Sequence, residues 1–418
     1  MRFRQPRNAD RDQRRAGGLD PPRALSERYH EHFYETFRRM EVVFDRFGMT
    51  DDATNQETTR SIVERLIENG YVYAETVSQS YCPECERFLP PDRYVEGGIC
   101  PHCGAVARGG DECDQGGCGQ HLEPGEIKDA VCKVCGGKAE YREQEHYFFR
   151  LSAFREFLLE YLPNLKGTST ARNYALGWVK ELLHDWCITR TLDWGGVKFP
   201  GRDDLVVYVW VDAPIGYISF TKEWAEAAGA DWKDYWCGDE TRVAHFIGGG
   251  HHLPPLHLLA GAPQRGRATA SRTRWSRAAW SRSRGRKFSK SRGYVVWTND
   301  DYLDQGLPAD YLRYYLLSYT NHTKELDFSW KVYAERVNNE IVGTLGNFIY
   351  RTMYFAEKEF AGVPDLAPRP EVVEEIERSL AAVDGLMRDY DFKNAVDAMM
   401  ALASYGNGYI QNNAPPGN

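Results

Sequence analysis

Residues 205–211 read Leu-Val-Val-Tyr-Val-Trp-Val, an unbroken apolar run rich in β-branched and aromatic side chains. Such a run fits a strand buried on both faces, as in a parallel sheet covered by helices. Ahead of it, residues 151–162 and 171–186 carry apolar side chains at helical spacing. Behind it a helix is expected near 219–228, then a strand at 243–247, Val-Ala-His-Phe-Ile. Strands alternating with helices define an α/β fold.

Working outward, residues 1–23 lack apolar periodicity and read as disordered or foreign to the fold. From 26 to 47, Phe33, Phe37, Met40, Val43 and Phe47 recur at helical spacing, with Gly48 as the expected stop. A second helix is predicted over 57–69, with Ile62, Val63, Leu66 and Ile67 on one face and Gly70 after it, then a short strand at 71–74. From Asp310 the pattern is helical: a long helix over 330–360, then 371–389 and 392–410 after a proline-rich loop. Three consecutive helices with a short loop predict a bundle.

At 418 residues the chain is long enough for two or three domains. Charged residues are 27%, ordinary for a soluble protein, and no stretch approaches the ~18 apolar residues of a membrane span. The Arg-rich start has no apolar segment after it, so it is not a secretory signal. Sixty acids against 52 bases exclude a uniformly basic nucleic-acid coat. One window departs from this: residues 249–286 hold eight Arg and no Lys, Asp or Glu, with neither helical nor strand period. A basic RNA-binding arm and an out-of-frame stretch of a GC-rich gene both fit it.

Eight of the ten cysteines lie between Cys82 and Cys135. Cys82/Cys85, Cys100/Cys103 and Cys132/Cys135 form three CxxC turns, and Cys113 and Cys118 a looser fourth pair. Each turn offers two thiolates, so eight suit two Zn²⁺ in closed, structural sites. Clustering in a long chain points to a cytoplasmic metal module rather than a disulfide scaffold. Adjacent, nested and crossed pairings all remain open. Cys187 and Cys237 read as isolated buried thiols.

A second motif is Lys287-Phe288-Ser289-Lys290-Ser291, closed by Gly293. Two ammonium groups with interleaved hydroxyls suit phosphate oxygens and the charge that develops as pyrophosphate leaves. A third is Trp210-Val211-Asp212-Ala213-Pro214-Ile215-Gly216-Tyr217, expected at the carboxyl end of the apolar strand, where α/β sheets bind ligands.

Together these residues resemble the methionyl-tRNA synthetases, class I aminoacyl-tRNA synthetases, of the archaeal type with two zinc knuckles. KFSKS at 287–291 is similar to the family's KMSKS loop, and VWVDAPIGY at 209–217 to its methionine-pocket segment. RFLPPDRYVEG between the knuckles, HYFFRLSAF, WCITRTLDWG and HFIG also resemble family segments, as does Asn347-Phe348-Ile349-Tyr350-Arg351. The resemblance covers most of 24–248 and 286–414.

It implies a Rossmann-like parallel-sheet catalytic domain, incomplete here, with a zinc-knuckle insert and then an α-helical anticodon-binding bundle. The implied divisions are 1–23 foreign, 24–80 and 145–297 catalytic, 81–144 zinc-binding insert, 298–330 stem contact, and 331–418 anticodon bundle. ATP with Mg²⁺, methionine and tRNA(Met) are the implied substrates and partners. Lys287, Ser289, Lys290 and Ser291 would meet ATP, with Lys287 and Lys290 steadying its phosphates. Trp210, Ala213, Pro214 and Tyr217 would line the methionine pocket, Arg190 would approach the adenylate, and Asn347 and Arg351 would meet the anticodon. The implied thiol pairing is nested: Cys100, Cys103, Cys113 and Cys118 for one zinc, Cys82, Cys85, Cys132 and Cys135 for the other. Four residues precede Cys118 where the family has two.

The family's strand and HIGH loop do not occur in these residues, HFIG runs into the Arg-rich window, and Pro416 stands where the family has a Trp. The expectation is therefore a chain truncated at both ends, disrupted at 249–286, and without measurable adenylate formation by itself. Two other classes compete. A stand-alone zinc-ribbon RNA-binding protein would not bind ATP. A class I synthetase for Ile, Val, Leu or Cys lacks the DAPIGY pocket, and for several of these a large editing domain is expected. Oligomeric state is not encoded in any of these motifs.

Overall fold

The computed structural model describes residues 22–89, 95–96, 98–107, 113, 118, 122, 126–191, 196–238, 241–248, 274–278, 282–283, 286–287, 295–319 and 327–413. The fold is mixed α/β, in two compact units: 44–245 with 252–274, and 1–43 with 246–251 and 275–418. In chain order the main elements begin with α1 (Pro22–Arg39), α2 (Ala53–Glu68), β1 (Val72–Cys82), β2 (Glu140–Phe149) and α3 (Ser169–Glu181). β3 (Trp186–Cys187), β4 (Thr189–Thr191), β5 (Leu205–Val207) and α4 (Val209–Ala228) follow, then α5 (Ala309–Tyr319). The stretches Trp330–Arg336, Val337–Gly346 and Asn347–Phe360 form one continuous helix α6, whose middle part has wider π-type turns. Helices α7 (Pro370–Arg388) and α8 (Phe392–Asn413) complete the bundle.

In the unit of residues 44–245, β1 and β2 pair antiparallel from Val72↔Phe149 to Tyr81↔Glu140. The expected strand at 71–74 is thus only the start of an eleven-residue strand. Its polar middle hid it: between Ala74 and Ser78 the side chains are exposed or half-buried, because this part is a two-stranded ribbon in solvent. Such a ribbon is marginal alone. It is anchored at one end where Phe148 and Phe149 pair with Cys187 and Trp186 of β3. At the other end, Arg142 lies 3.6 Å over the Tyr81 ring, and Tyr141 Oη donates to the Ile127 carbonyl at 2.7 Å.

The strand expected over 205–211 is shorter and its partner differs. β5 ends at Val207, pairs antiparallel with β4, and the chain turns at Tyr208 into α4. A short apolar run cannot by itself separate a buried strand from a buried helix. Val211, Ile215 and Ile218 are apolar because they pack inside a helix, not a sheet. The helix expected at 219–228 is the second half of α4. The strand near 243–247 is found at Ala244–Gly248. Short strands also occur at Arg274–Ala278 and Arg282–Ser283, inside the window expected to have none; the rest of that window lies outside the described residues.

Helix ends follow local rules better than apolar spacing. α1 stops at Arg39, not near Gly48: Glu41 takes a left-handed φ of 56°, and its amide and that of Val42 bond back to Arg38 and Phe37 carbonyls. This is the Schellman closure usually built on glycine. Gly70, after α2, makes the expected version with φ 73°. At α3, the Thr168 hydroxyl accepts the Ala171 amide at 3.3 Å, and Arg155 donates to carbonyls of Val179, Lys180 and Leu183 at the other end.

The other unit has an aromatic core of Tyr302, Tyr315, Phe328 and Tyr333 with Met40 and Leu312. Tyr302 Oη reaches Tyr333 Oη at 2.8 Å, and burial raises both phenols. The bundle helices match the sequence reading within a few residues. Among the described residues, no helix is long and apolar enough to cross a membrane.

Gly48 has a packing role instead: a Cβ there would lie 2.5 Å from the Phe220 ring of α4. Gly48→Ala is expected to destabilise by ~1–3 kcal/mol through overpacking. Gly177→Ala, in α3 with open space around it, is expected to stabilise by ~0.5–1 kcal/mol. Urea unfolding of the two variants should shift the midpoint in opposite directions.

Candidate functional site

The segment 209–217 is the first two turns of α4. Helical spacing puts Trp210, Ala213, Pro214 and Tyr217 in one row. Trp210 and Ala213 are half-buried, Pro214 is buried, and Tyr217 is 56% exposed at the end of the row. Pro214 has no amide for the Trp210 carbonyl, so the helix tolerates an irregular turn inside this row. The sequence placed these residues together but on a strand end; the structure brings them together on a helix.

Next to the row, the Asp212 carboxylate is buried. Asn55 Nδ2 donates to it at 2.6 Å and Thr59 Oγ1 at 3.2 Å, both from α2. Asn55 also donates to the Thr50 carbonyl and accepts from Ser219 Oγ at 2.6 Å. Burial pushes the Asp212 carboxyl up, against the pull of Asn55 and Thr59. The buried face of α2 is therefore Asn55, Thr58, Thr59 and Val63, more polar than the apolar face the sequence predicted.

Arg190 sits in β4, buried. Its guanidinium lies 3.8 Å over the Tyr208 ring and donates to the Cys187 and Thr189 carbonyls. Close by, His146 of β2 is fully buried. Its Nε2 lies 2.9 Å from Gln79 Oε1 and its Nδ1 2.9 Å from Thr189 Oγ1, which also accepts the Tyr147 amide. An amide oxygen can only accept, so Nε2 carries the proton and the Thr189 hydroxyl donates to Nδ1. Burial, with the Arg190 and Arg202 charges behind it, lowers the ring to about 4. Neither His146 nor Asn55 was found from sequence. Their partners are 67 and 157 residues away, and only apolar periodicity, which neither obeys, was available as a signal.

The eight clustered thiols form two quartets, Cys82, Cys85, Cys132 and Cys135, and Cys100, Cys103, Cys113 and Cys118. This is the nested pairing. Within each quartet the sulfurs lie within 4.8 Å of one another. Cross-pair separations are 3.5 Å for Cys82–Cys135, 3.9 Å for Cys85–Cys132, 3.9 Å for Cys100–Cys118 and 3.7 Å for Cys103–Cys113. A disulfide is ~2 Å, whereas a tetrahedron with ~2.3 Å metal–sulfur bonds has edges of ~3.8 Å. The donor set therefore fits Zn²⁺, and the longer gap before Cys118 does not spoil the inner quartet. Burial raises Cys132, but the Cys135 and Val134 amides and the Cys135 and Cys82 side chains draw it down to about 7. Cys100 is lowered likewise by the Cys103 and His102 amides against burial. Of the two isolated cysteines, Cys187 is buried as expected and Cys237 is exposed.

Lys287 ends a short strand, Arg286–Lys287, paired with Arg282–Ser283. Ser289, Lys290 and Ser291 lie outside the described residues. Asn347 and Arg351 stand one turn apart in α6; Asn347 Nδ2 donates to Asn407 Oδ1 of α8 at 3.2 Å.

The tRNA synthetases class I (M) family matches residues 15–353, and the chain belongs to that family. Among curated relatives, the methionine–tRNA ligase of Methanoculleus marisnigri is 86% identical over 400 residues, 94% of this chain and 58% of that protein. That of Methanoregula boonei is 65% identical over the same shares. The chain thus spans 58% of the length of these relatives. The Mycobacterium tuberculosis methionyl-tRNA synthetase in complex with methionyl-adenylate has a TM-score of 0.70 at 24% identity, covering 95% of this chain and 72% of that one. That likeness shows the fold: a class I synthetase, Rossmann-like, with a helical C-terminal region. The family match does not favour a stand-alone zinc-ribbon protein.

His146 gives this region a pH dependence. The ring is neutral in the folded chain down to about 4, while the unfolded ring takes its proton near 6.5. Its contribution is complete above ~6.5 and is lost as pH falls towards 4, by up to ~3 kcal/mol. Urea unfolding of the parent and of His146→Gln between about pH 7 and pH 4.5 should show their stability gap narrowing as pH falls.

Proposed function

We propose that this chain carries the chemistry of a methionine–tRNA ligase: ATP-dependent formation of methionyl-adenylate, then transfer of the methionyl group to tRNA(Met). The match of residues 15–353 to the synthetase family, with relatives of that activity at 86% and 65% identity, carries the reading. In the first step a methionine carboxylate oxygen bonds to the α-phosphorus of ATP and pyrophosphate leaves. In the second, a terminal ribose hydroxyl of the tRNA attacks the activated carbonyl and AMP leaves. Positioning and charge stabilisation do most of this work.

In this reading Lys287 and Lys290 neutralise charge on the ATP phosphates, with the Ser289 and Ser291 hydroxyls in the same loop and Mg²⁺ accompanying the nucleotide. Trp210, Ala213, Pro214 and Tyr217 hold the methionine side chain. Arg190, whose guanidinium is committed to backbone carbonyls and Tyr208, supports the adenylate side of the site through its placement of β4 and Tyr208. Asn347 and Arg351 serve the anticodon. The divisions follow these roles: catalytic 24–80 and 145–297, insert 81–144, stem contact 298–330, anticodon bundle 331–418. A cytoplasmic location fits a synthetase.

The two thiol quartets hold one Zn²⁺ each, bound by four thiolates. Such a site supplies structure, having no open coordination position for a reactant. Elemental analysis is expected to give two zinc per chain, one for each quartet, and one after Cys100→Ser. A metal-free parent that keeps its fold would refute the assignment.

The activity is tested by methionine-dependent exchange of pyrophosphate into ATP, on the chain alone and on a form with the frame across 249–286 restored and joined to a strand–HIGH–helix segment. Exchange is expected in the joined form, with methionine and not leucine, and lost in Lys290→Ala. Exchange supported by another amino acid, or by none in the joined form, overturns the reading.

A further inference from the structure

We propose that Asp212 is a positioning residue: held by Asn55 and Thr59 of α2, it fixes the rotation of α4 and so aims the row from Trp210 to Tyr217. The inference deepens the reading of that row as the amino-acid pocket and rests on it for its functional consequence.

Three observations carry it. Asp212 lies in the first turn of α4, two residues after Trp210 and one before Ala213, so any turn of the helix about its axis moves all three together. Its buried carboxylate takes two donors, Asn55 Nδ2 at 2.6 Å and Thr59 Oγ1 at 3.2 Å, from one helix. Two points on a neighbouring helix define a direction, which apolar packing alone does not. Second, Asn55 is fixed from both sides. It donates to the Thr50 carbonyl at 2.8 Å and accepts from Ser219 Oγ at 2.6 Å, so α4 is gripped at Asp212 and again two turns later. Lys222 Nζ on the next turn reaches Thr58 Oγ1 at 3.0 Å.

Third, the segment leading into α2 approaches α4 closely beside this lock. A Cβ at Gly216 would lie 3.2 Å from Thr50 Cγ2, and one at Gly48 would strike the Phe220 ring. Polar buried contacts are the means by which a close interface selects one register among several of similar apolar area. An uncompensated buried carboxylate would be costly, and the position serves no capping role, since the helix begins at Tyr208 without a side-chain cap. Its partners are therefore the reason it is tolerated. A displacement of the row by ~1 Å is enough to cost ~10²-fold in a site that works by orientation.

The test reads the row directly. The full chain is labelled with 5-fluorotryptophan and the Trp210 resonance assigned by its loss in Trp210→Phe. Asp212→Ala and Asn55→Ala should each move that resonance while amide exchange protection of β1 and β2 is unchanged. Asp212→Asn keeps a side-chain oxygen that accepts from both Asn55 and Thr59 and should leave the resonance near its parent position. An unmoved resonance in both alanine variants, or a shift in Asp212→Asn as large as that in Asn55→Ala, overturns the proposal. If Asp212→Ala does not fold, Asn55→Ala and Asp212→Asn still decide. Methionine is then titrated into each protein: a parent response weakened ~10-fold or more by Asn55→Ala and kept in Asp212→Asn supports both proposals. A parent resonance indifferent to methionine, with the variant pattern intact, removes the pocket reading and leaves the positioning role standing.

Discussion

The antiparallel pairing of Val72–Tyr81 with Glu140–Phe149 is the constraint on which the unit of residues 44–245 depends. It brings segments distant in sequence into register, closes the insert at its base, and leads Cys82 into the outer quartet. At its anchored end the same register sets His146 between Gln79 and Thr189, which ties β1 and β2 to β4 and, through β4, to β5 and the start of α4. Backbone pairing in the solvent-exposed middle adds little by itself. The ribbon persists because both ends are fixed by burial and by side-chain contacts.

The parts legible in the sequence were those whose signal is local. CxxC turns present two sulfurs by their own geometry, so Cys82/Cys85 and Cys132/Cys135 were readable without knowing the fold. The bundle helices α6, α7 and α8 were readable because their apolar spacing runs for several turns. The synthetase family was readable from short segments taken jointly, of which 209–217 was one. What could not be read depends on distant partners. The apolar run at 205–211 suits a strand or a buried helix equally, and Tyr208 as the point of change is set by the pairing of β5 with β4. Asn55 and Asp212 sit 157 residues apart, and nothing local marks either as one half of a contact.

Helix termination shows the same division. Gly70 and Gly229 end α2 and α4 in left-handed backbone, as glycine after a helix suggests. Glu41, Ala361 and Tyr390 take the same conformation without glycine's freedom. For an L-residue this costs ~1 kcal/mol or more, which the surrounding structure must offset. At Glu41, part of the offset is visible: Arg39 reaches Asp304 at 2.7 Å and Asn299 at 3.1 Å, while the Glu41 carboxylate accepts from Arg313 at 3.2 Å.

The nesting of the thiol quartets gives the insert a sense of time as well as shape. Cys100 and Cys118 close a loop of 18 residues, while Cys82 and Cys135 span 53. From an open chain the longer closure costs about 1 kcal/mol more in chain entropy. The inner quartet can assemble from its own segment alone, whereas the outer one waits on the two strands that deliver its ends. By loop length alone the inner quartet is the easier to close, and the outer quartet joins the chain at the end of one ribbon strand to the chain shortly before the other.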